Sequence, residues 1–162
     1  MPQFSGLRLG RMSARPVLFA LLVSLSVHAA PPKAVTEVAA CIDGAKRTDG
    51  KKECSFSIEA PSCELAVKVS CSTPMMKYEY VMTLPLGKLD PKKSVYEPNA
   101  GGFPGSHGVE LNAIGDVINT VTDSGQKTAG STAVLAFGTS DEDQKRAKKL
   151  VAGLAAAKKA CH

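Results

Sequence analysis

The chain has 162 residues, 20 basic against 15 acidic, no tryptophan and only eight aromatic residues. That size suits one domain rather than several. The small charge excess and sparse aromatics argue against nucleic-acid binding, which calls for a strong basic surface and stacking side chains.

The first 29 residues have the order of a secretory signal peptide: Arg8, Arg11 and Arg15, then the apolar run "VLFALLVSLSV", then "HAAPPK". The run is too short for a membrane span, which needs about 20 apolar residues. Cleavage after Ala29 places Val27 and Ala29 in the small-residue positions. Met12 would give a more compact signal than Met1. Residues 1–29 hold three of the 20 basic residues and no acid, so the remainder carries 17 basic against 15 acidic residues, a net +2. Residues 30–40 read as a linker or N-terminal arm, and residues 41–162 as a single disulfide-stabilised domain. "VAAC" (38–41) spells a lipobox, but Pro31, Pro32, Lys33 and Glu37 separate it from the apolar run. Cys41 therefore reads as a disulfide partner, with no stable membrane anchor after cleavage.

There are five cysteines, at 41, 54, 63, 71 and 161. In an exported chain they imply disulfides before metal sites, and no C-x-x-C pair is present. Choosing the odd cysteine five ways and pairing the other four in three allows fifteen connectivities. "CELAVKVSC" alternates as a half-buried strand, with Cys63, Leu65, Val67, Val69 and Cys71 on one face. A continuous strand separates Cys63 from Cys71 by roughly 26 Å at about 3.3 Å per residue, beyond disulfide reach. "CSFSI" also alternates, and Ala60-Pro61-Ser62 joins the two as a hairpin. If the loop extends to about Glu64, Cys54 opposes Cys71, and a bridge there contributes roughly 3 kcal/mol.

"KYEYVMTL" is a third strand with Tyr78, Tyr80, Met82 and Leu84 together. "PLGKLDPKK" is a turn-rich connection, "SVYE" a brief strand, and "NAGGFPGSHG" a loop. "VEL", "DVINTV" and "TAVLAF" follow as strands, the last two joined by a hairpin-like "DSGQK" turn. The C-terminal stretch "TSDEDQKRAKKLVAGLAAAKKACH" is an amphipathic helix. Thr139 or Ser140 is its N-cap, and Thr139 and Glu142 stand at capping-box spacing. Ala147, Leu150, Val151, Leu154, Ala157 and Cys161 form its apolar stripe. Cys161 either bonds Cys41 or stays buried as the odd thiol.

These elements predict an α+β fold: an antiparallel sheet or bent sandwich of about six to seven short strands, closed by the C-terminal helix. The order resembles pleckstrin-homology-like domains, which imply one strongly bent sheet with a helix at its end. The likeness lies in element order alone.

Chemistry has few footholds. "GGFPGSHG" lacks the final Gly-Lys-[Ser/Thr] of a P-loop, the G-x-G of a dinucleotide fingerprint and the G-x-S-x-G of an esterase elbow. His107 is the one interior histidine beyond residue 30 for acid–base work, with Asp116 or Asp123 as an orienting carboxylate in a hydrolase. No metal or cofactor is implied. Phe103, Ser106 and His107 in the glycine loop, with Met75 and Met76, are the candidate binding residues. The methionines read as core if buried, the reading preferred here, and as a protein-contact patch if exposed. The lysines at 145–149 and 158–159 read as the solvated back of the helix. The function expected is a small exported, non-catalytic binding domain, of inhibitor or accessory type, acting on another envelope or secreted protein. The alternatives are a small hydrolase using His107 and a structural envelope accessory. The location expected is the periplasm of a Gram-negative cell, or otherwise the secreted fraction.

Overall fold

The computed structural model describes residues 30–162, so the signal-peptide reading and its cleavage point lie outside the described residues. Two helices and nine strands are formed there. In chain order they are α1 (Lys33–Ile42), β1 (Lys46–Asp49), β2 (Lys52–Ile58), β3 (Glu64–Ser72), β4 (Lys77–Pro85), β5 (Val95–Pro98), β6 (His107–Asn112), β7 (Ile118–Thr122), β8 (Lys127–Gly130), β9 (Thr132–Ala136) and α2 (Asp141–Ala160). The expected α+β architecture of antiparallel strands closed by a C-terminal helix is the one observed.

The strands divide into two antiparallel sheets, a six-stranded one ordered β1-β2-β3-β4-β7-β8 and a three-stranded one ordered β5-β6-β9. The split arises where β8 ends. After the "DSGQK" turn the returning strand is β8, which pairs with β7; Ser131 then hands the chain to β9, which pairs with β6. "TAVLAF" is therefore not the hairpin partner of "DVINTV". Ala133 and Leu135 are both buried, and the smaller sheet is where they reach the core. β1 ("KRTD") and β8 ("KTAG") were not foreseen. Both are edge strands of four residues, wetted on both faces, so neither has the apolar alternation that marks a half-buried strand.

Residues 30–40, expected as a linker or arm, instead contain most of α1. Val35, Val38, Ala39 and Ile42 recur at helical spacing and are buried. They pack on α2, where Gly153 permits the close approach: a Cβ there would stand 3.1 Å from Val38 Cγ2. Arg146 of α2 closes the end of α1, donating from Nη1 to the carbonyls of Cys41 (3.3 Å) and Asp43 (2.9 Å). A guanidinium there satisfies carbonyls that a helix end leaves open and opposes the negative end of its dipole. This helix before the strands, and the two sheets, depart from the pleckstrin-homology-like order.

The stripe expected on α2 is the one buried: Ala147, Leu150, Leu154 and Ala157 face inward and Val151 is half-buried. Its cap is Ser140. The Ser140 Oγ accepts from Asp143 N (3.2 Å), and the Asp143 carboxylate accepts from Ser140 N (3.2 Å). The box therefore sits one residue later than Thr139 and Glu142. α2 lies against β5, β6 and α1, and α1 touches β2. Between the layers Phe56 and Phe137 meet edge to face, 5.7 Å between centroids.

Two disulfides are formed. Cys54 bonds Cys71, directly opposite each other in the β2–β3 register as expected. The second joins Cys63 to Cys161 and anchors the end of α2 to the start of β3. Cys41 is therefore the unpaired thiol, not the partner of Cys161. The reason is α1: its helical turn directs Cys41 into the α1–α2 packing, whereas Cys161 ends α2 beside the β2–β3 connection. Burial pushes the Cys41 thiol above its ordinary pKa, against the pull of Lys149 and Arg146. Two disulfides are consistent with an extracellular or periplasmic location. No described helix is long and apolar enough to cross a membrane.

Candidate functional site

The glycine loop is a built piece of structure. Asn99, Gly101, Gly102 and Gly105 all adopt positive φ, which folds residues 99–106 back on themselves. The N–H groups of Asn99, Gly102, Phe103 and Ser106 all bond carbonyls within the loop, and Gly105 N–H bonds the Asn99 side chain at 2.6 Å. Those amides are turned inward and are not available to cradle an anion. Ser106 is 2% exposed. Its hydroxyl lies 2.7 Å from Phe103 O and 3.1 Å from Ala100 O, where it locks the loop. Gly108 completes the packing, since a Cβ there would overlap Leu135 O and the Ala100 side chain.

His107 starts β6 and stacks on Tyr96 of β5. Its Nδ1 is 2.7 Å from the Tyr96 hydroxyl, and that oxygen accepts from Gln144 Nε2 of α2 at 3.3 Å. Gln144, Tyr96 and His107 thus form one hydrogen-bonded chain from helix to sheet. The Lys148 ammonium stands 5.4 Å from the Tyr96 ring centroid. Among the described residues no carboxylate hydrogen-bonds His107. Asp123 lies in the β7–β8 turn, where its carboxylate accepts from Glu79 N, and Asp116 lies in the β6–β7 connection. Ser106 and His107 are thus adjacent in sequence but used separately: a buried loop lock and a bridge from sheet to helix. A serine nucleophile needs an accessible hydroxyl bonded to its base, and this geometry provides neither.

Phe103 is likewise engaged. The Arg47 guanidinium lies over its ring, 4.0 Å to the centroid, a cation–π contact that ties the loop to β1. Arg47 Nη2 also approaches Cys54 Sγ at 3.5 Å. The loop residues singled out from the sequence are brought together, but as a clamp between the two sheets and α2.

The methionines fall elsewhere. Met75 is 95% and Met76 61% exposed, which corrects their reading as core. They occupy the tip of the β3–β4 hairpin, a turn held by Thr73. Thr73 Oγ1 accepts from Met75 N (3.3 Å) and Met76 N (3.1 Å), and Thr73 N donates to Met76 O (2.8 Å). The turn fixes the backbone and leaves both thioethers projecting. The Cys54–Cys71 bridge ties β3 to β2 just before this turn.

Beside this tip lies a groove of about 520 Å³ across β1–β4, lined also by Arg47 and the Cys54–Cys71 bridge. Register builds it as two rows. Lys46, Ser55, Ser70 and Glu79 are successive cross-strand neighbours, as are Thr48, Glu53, Ser72 and Lys77. Glu79 is already satisfied: it accepts from Ser70 Oγ and pairs with Lys68 Nζ, both at 2.8 Å. The Lys68 and Ser70 hydrogen bonds hold the Glu79 carboxyl below its ordinary pKa, and Glu79 in turn raises Lys68. Among the described residues Lys46, Glu53 and Lys77 form no ion pair, and with the Ser55 and Ser72 hydroxyls they face solvent across the groove. The Lys68 row itself continues into the cross-strand pair Val81–Val121, both partly exposed. The face runs from an apolar tip through polar rows to an apolar pair.

Sequence reading missed this groove. Its signal was present in the polar members of each alternating strand, Ser55 and Ser57, Lys68 and Ser70, Glu79. The fourth wall, β1, has no such pattern. Among the described residues no group of three His, Cys, Asp or Glu side chains stands close enough together to hold a metal. Compared with known proteins, the chain matches no family model, and no curated protein or solved structure is significantly similar to it.

Proposed function

We propose that this chain is a small exported, non-catalytic binding domain that docks on another envelope or secreted protein, by inhibition or as an accessory. Its contact surface is the β3–β4 tip with the polar groove beside it. The observation that supports this reading is the Met75–Met76 pair, two flexible apolar side chains displayed on a turn whose backbone is already fixed. Isolated exposed apolar residues are ordinary on protein surfaces. An adjacent pair on a braced hairpin is different, because methionine suits contact surfaces and a rigid backbone lowers the ordering cost of association. The groove adds unpaired lysines and a glutamate that set charge specificity around the apolar anchor. Export is supported by the two disulfides, which persist in oxidising compartments.

The test is affinity capture with the oxidised protein as bait, from its own cell envelope and from secreted proteins of neighbouring cells. Wild type and His107→Ala are expected to retain the same stoichiometric protein, and Met75→Glu/Met76→Glu to lose it. Retention by the double glutamate variant would overturn the assignment of the surface. Loss with His107→Ala alone would move the site to the Tyr96–His107 clamp.

A further inference from the structure

The hairpin tip has a chemical property that its role as a contact does not require. The chain has five methionines. Three lie among the described residues, and their surroundings differ sharply. Met75 and Met76 project from the turn, whereas Met82, on the inner face of β4, is 7% exposed and part of the core. Thioether oxidation follows access of the oxidant to sulfur. We propose that Met75 and Met76 form a surface oxidation site for peroxide-class oxidants, whose conversion to sulfoxides turns the apolar tip polar and leaves the fold intact.

The step is a two-electron oxygen transfer. The thioether sulfur attacks one peroxide oxygen, the O–O bond breaks and an S–O bond forms. Sulfur is oxidised to the sulfoxide, and the other oxygen leaves as water after taking up the proton. Each methionine consumes one peroxide. The geometry separates this chemistry from folding. The turn is held through Thr73 and the backbone of residues 75 and 76, with no hydrogen bond through either sulfur. The β3–β4 ladder, nine residue pairs from Glu64–Pro85 to Ser72–Lys77, and the Cys54–Cys71 bridge from β3 to β2 hold the strands below the turn whatever the tip carries. A sulfoxide oxygen is a strong acceptor where the thioether was a weak one, and exposed Lys77 follows directly in sequence. A partner surface shaped for two apolar side chains would then meet two desolvation penalties. That consequence for binding rests on the contact reading above; the selectivity of oxidation does not.

Trypsin separates the residues conveniently. Met75 and Met76 fall in "VSCSTPMMK" (69–77), and Met82 in "YEYVMTLPLGK" (78–88). The oxidised, purified protein is treated with hydrogen peroxide, quenched, reduced, digested and weighed. The 69–77 peptide should acquire one and then two oxygens at least about tenfold faster than the 78–88 peptide, with an unchanged thermal midpoint. In denaturant the two peptides should oxidise at similar rates. Equal rates in the native protein, or a midpoint that falls as the tip oxidises, would overturn the proposal. For the binding consequence, peroxide should release a partner captured by wild type but not one captured by Met75→Leu/Met76→Leu, which keeps the apolar contact without sulfur. Retention by oxidised wild type would overturn the switch. The mass measurement needs no partner, so its failure is distinct from failure of the docking reading.

Discussion

The two disulfides brace regions of opposite character. Cys63–Cys161 is half-buried where α2 ends, with Leu86 N donating to Cys63 O at 2.8 Å and Lys158 Nζ bonding Leu89 O at 2.8 Å nearby. Cys54–Cys71 joins β2 to β3, both cysteines buried, two residues before β3 gives way to the turn that displays Met75 and Met76. One bridge, half-buried, fastens a helix end to a strand; the other, buried in the core, fixes the strand from which the exposed turn projects. If the proposed contact surface is the turn beyond the buried bridge, substitutions should separate stability from binding.

The sharpest way to break that contrast is to remove each bridge in turn. The Cys63–Cys161 bond spans 98 residues of sequence and the Cys54–Cys71 bond 17. Loop-closure entropy then predicts losses of roughly 4.7 and 3 kcal/mol on replacement by serine pairs, measured by denaturant unfolding. A larger loss from the shorter loop would show that packing of the buried Cys54 and Cys71 outweighs loop entropy. Next comes Leu154→Ala, expected to cost about 2–5 kcal/mol as a buried truncation, with capture of a partner unchanged. Ser140→Ala should cost about 1 kcal/mol through loss of the N-cap. Met75→Ser/Met76→Ser should shift stability by less than about 0.5 kcal/mol and yet abolish capture.

The smallest effect is a matter of pH. Glu79 has a depressed folded-state pKa, so its contribution is present above the unfolded carboxylate pKa and is lost as pH falls through the folded value. Because the Lys68–Glu79 pair is exposed and screened, Glu79→Gln should flatten the acid limb of the stability profile only slightly. Cys41 sharpens the other side of the comparison. Its burial and raised pKa predict slow alkylation at neutral pH in the native protein and rapid alkylation in denaturant.

Legibility followed burial. Strands with one wet and one dry face declared themselves by alternation, which carried β2, β3 and β4 and even the Cys54–Cys71 register. α2 declared itself by its stripe and its acidic first turn. Edge strands β1 and β8 had no dry face and hence no pattern. α1 was hidden for another reason: Pro31-Pro32 before it reads as a linker, its N-cap has no side-chain hydrogen bond, and its apolar spacing gains meaning only against α2. The same non-locality misassigned Cys161. In the candidate site, exposure decided everything, and exposure of Met75 and Met76 depends on how long the hairpin is relative to its neighbours. The loop residues Phe103, Ser106 and His107 drew notice as chemistry because glycine, serine and histidine together do so. Their partners, Arg47, Tyr96 and Gln144, lie on three other elements that no local pattern connects.

The grip of Arg146 on the last carbonyls of α1 joins residues more than a hundred apart in sequence. A chain that appears N-terminus first displays the apolar stripe of α1, with the thiol of Cys41, long before α2 exists to cover them. During that interval Cys54, Cys63 and Cys71 are also present, and Cys161, the native partner of Cys63, is not. With Cys54 and Cys71 paired, Cys41 and Cys63 are the two thiols left to each other, and thiol exchange would have to undo such a crosslink once α2 arrives. Maturation of this small domain should therefore run at the pace of disulfide reshuffling, and a Cys41→Ala chain should mature faster than its parent.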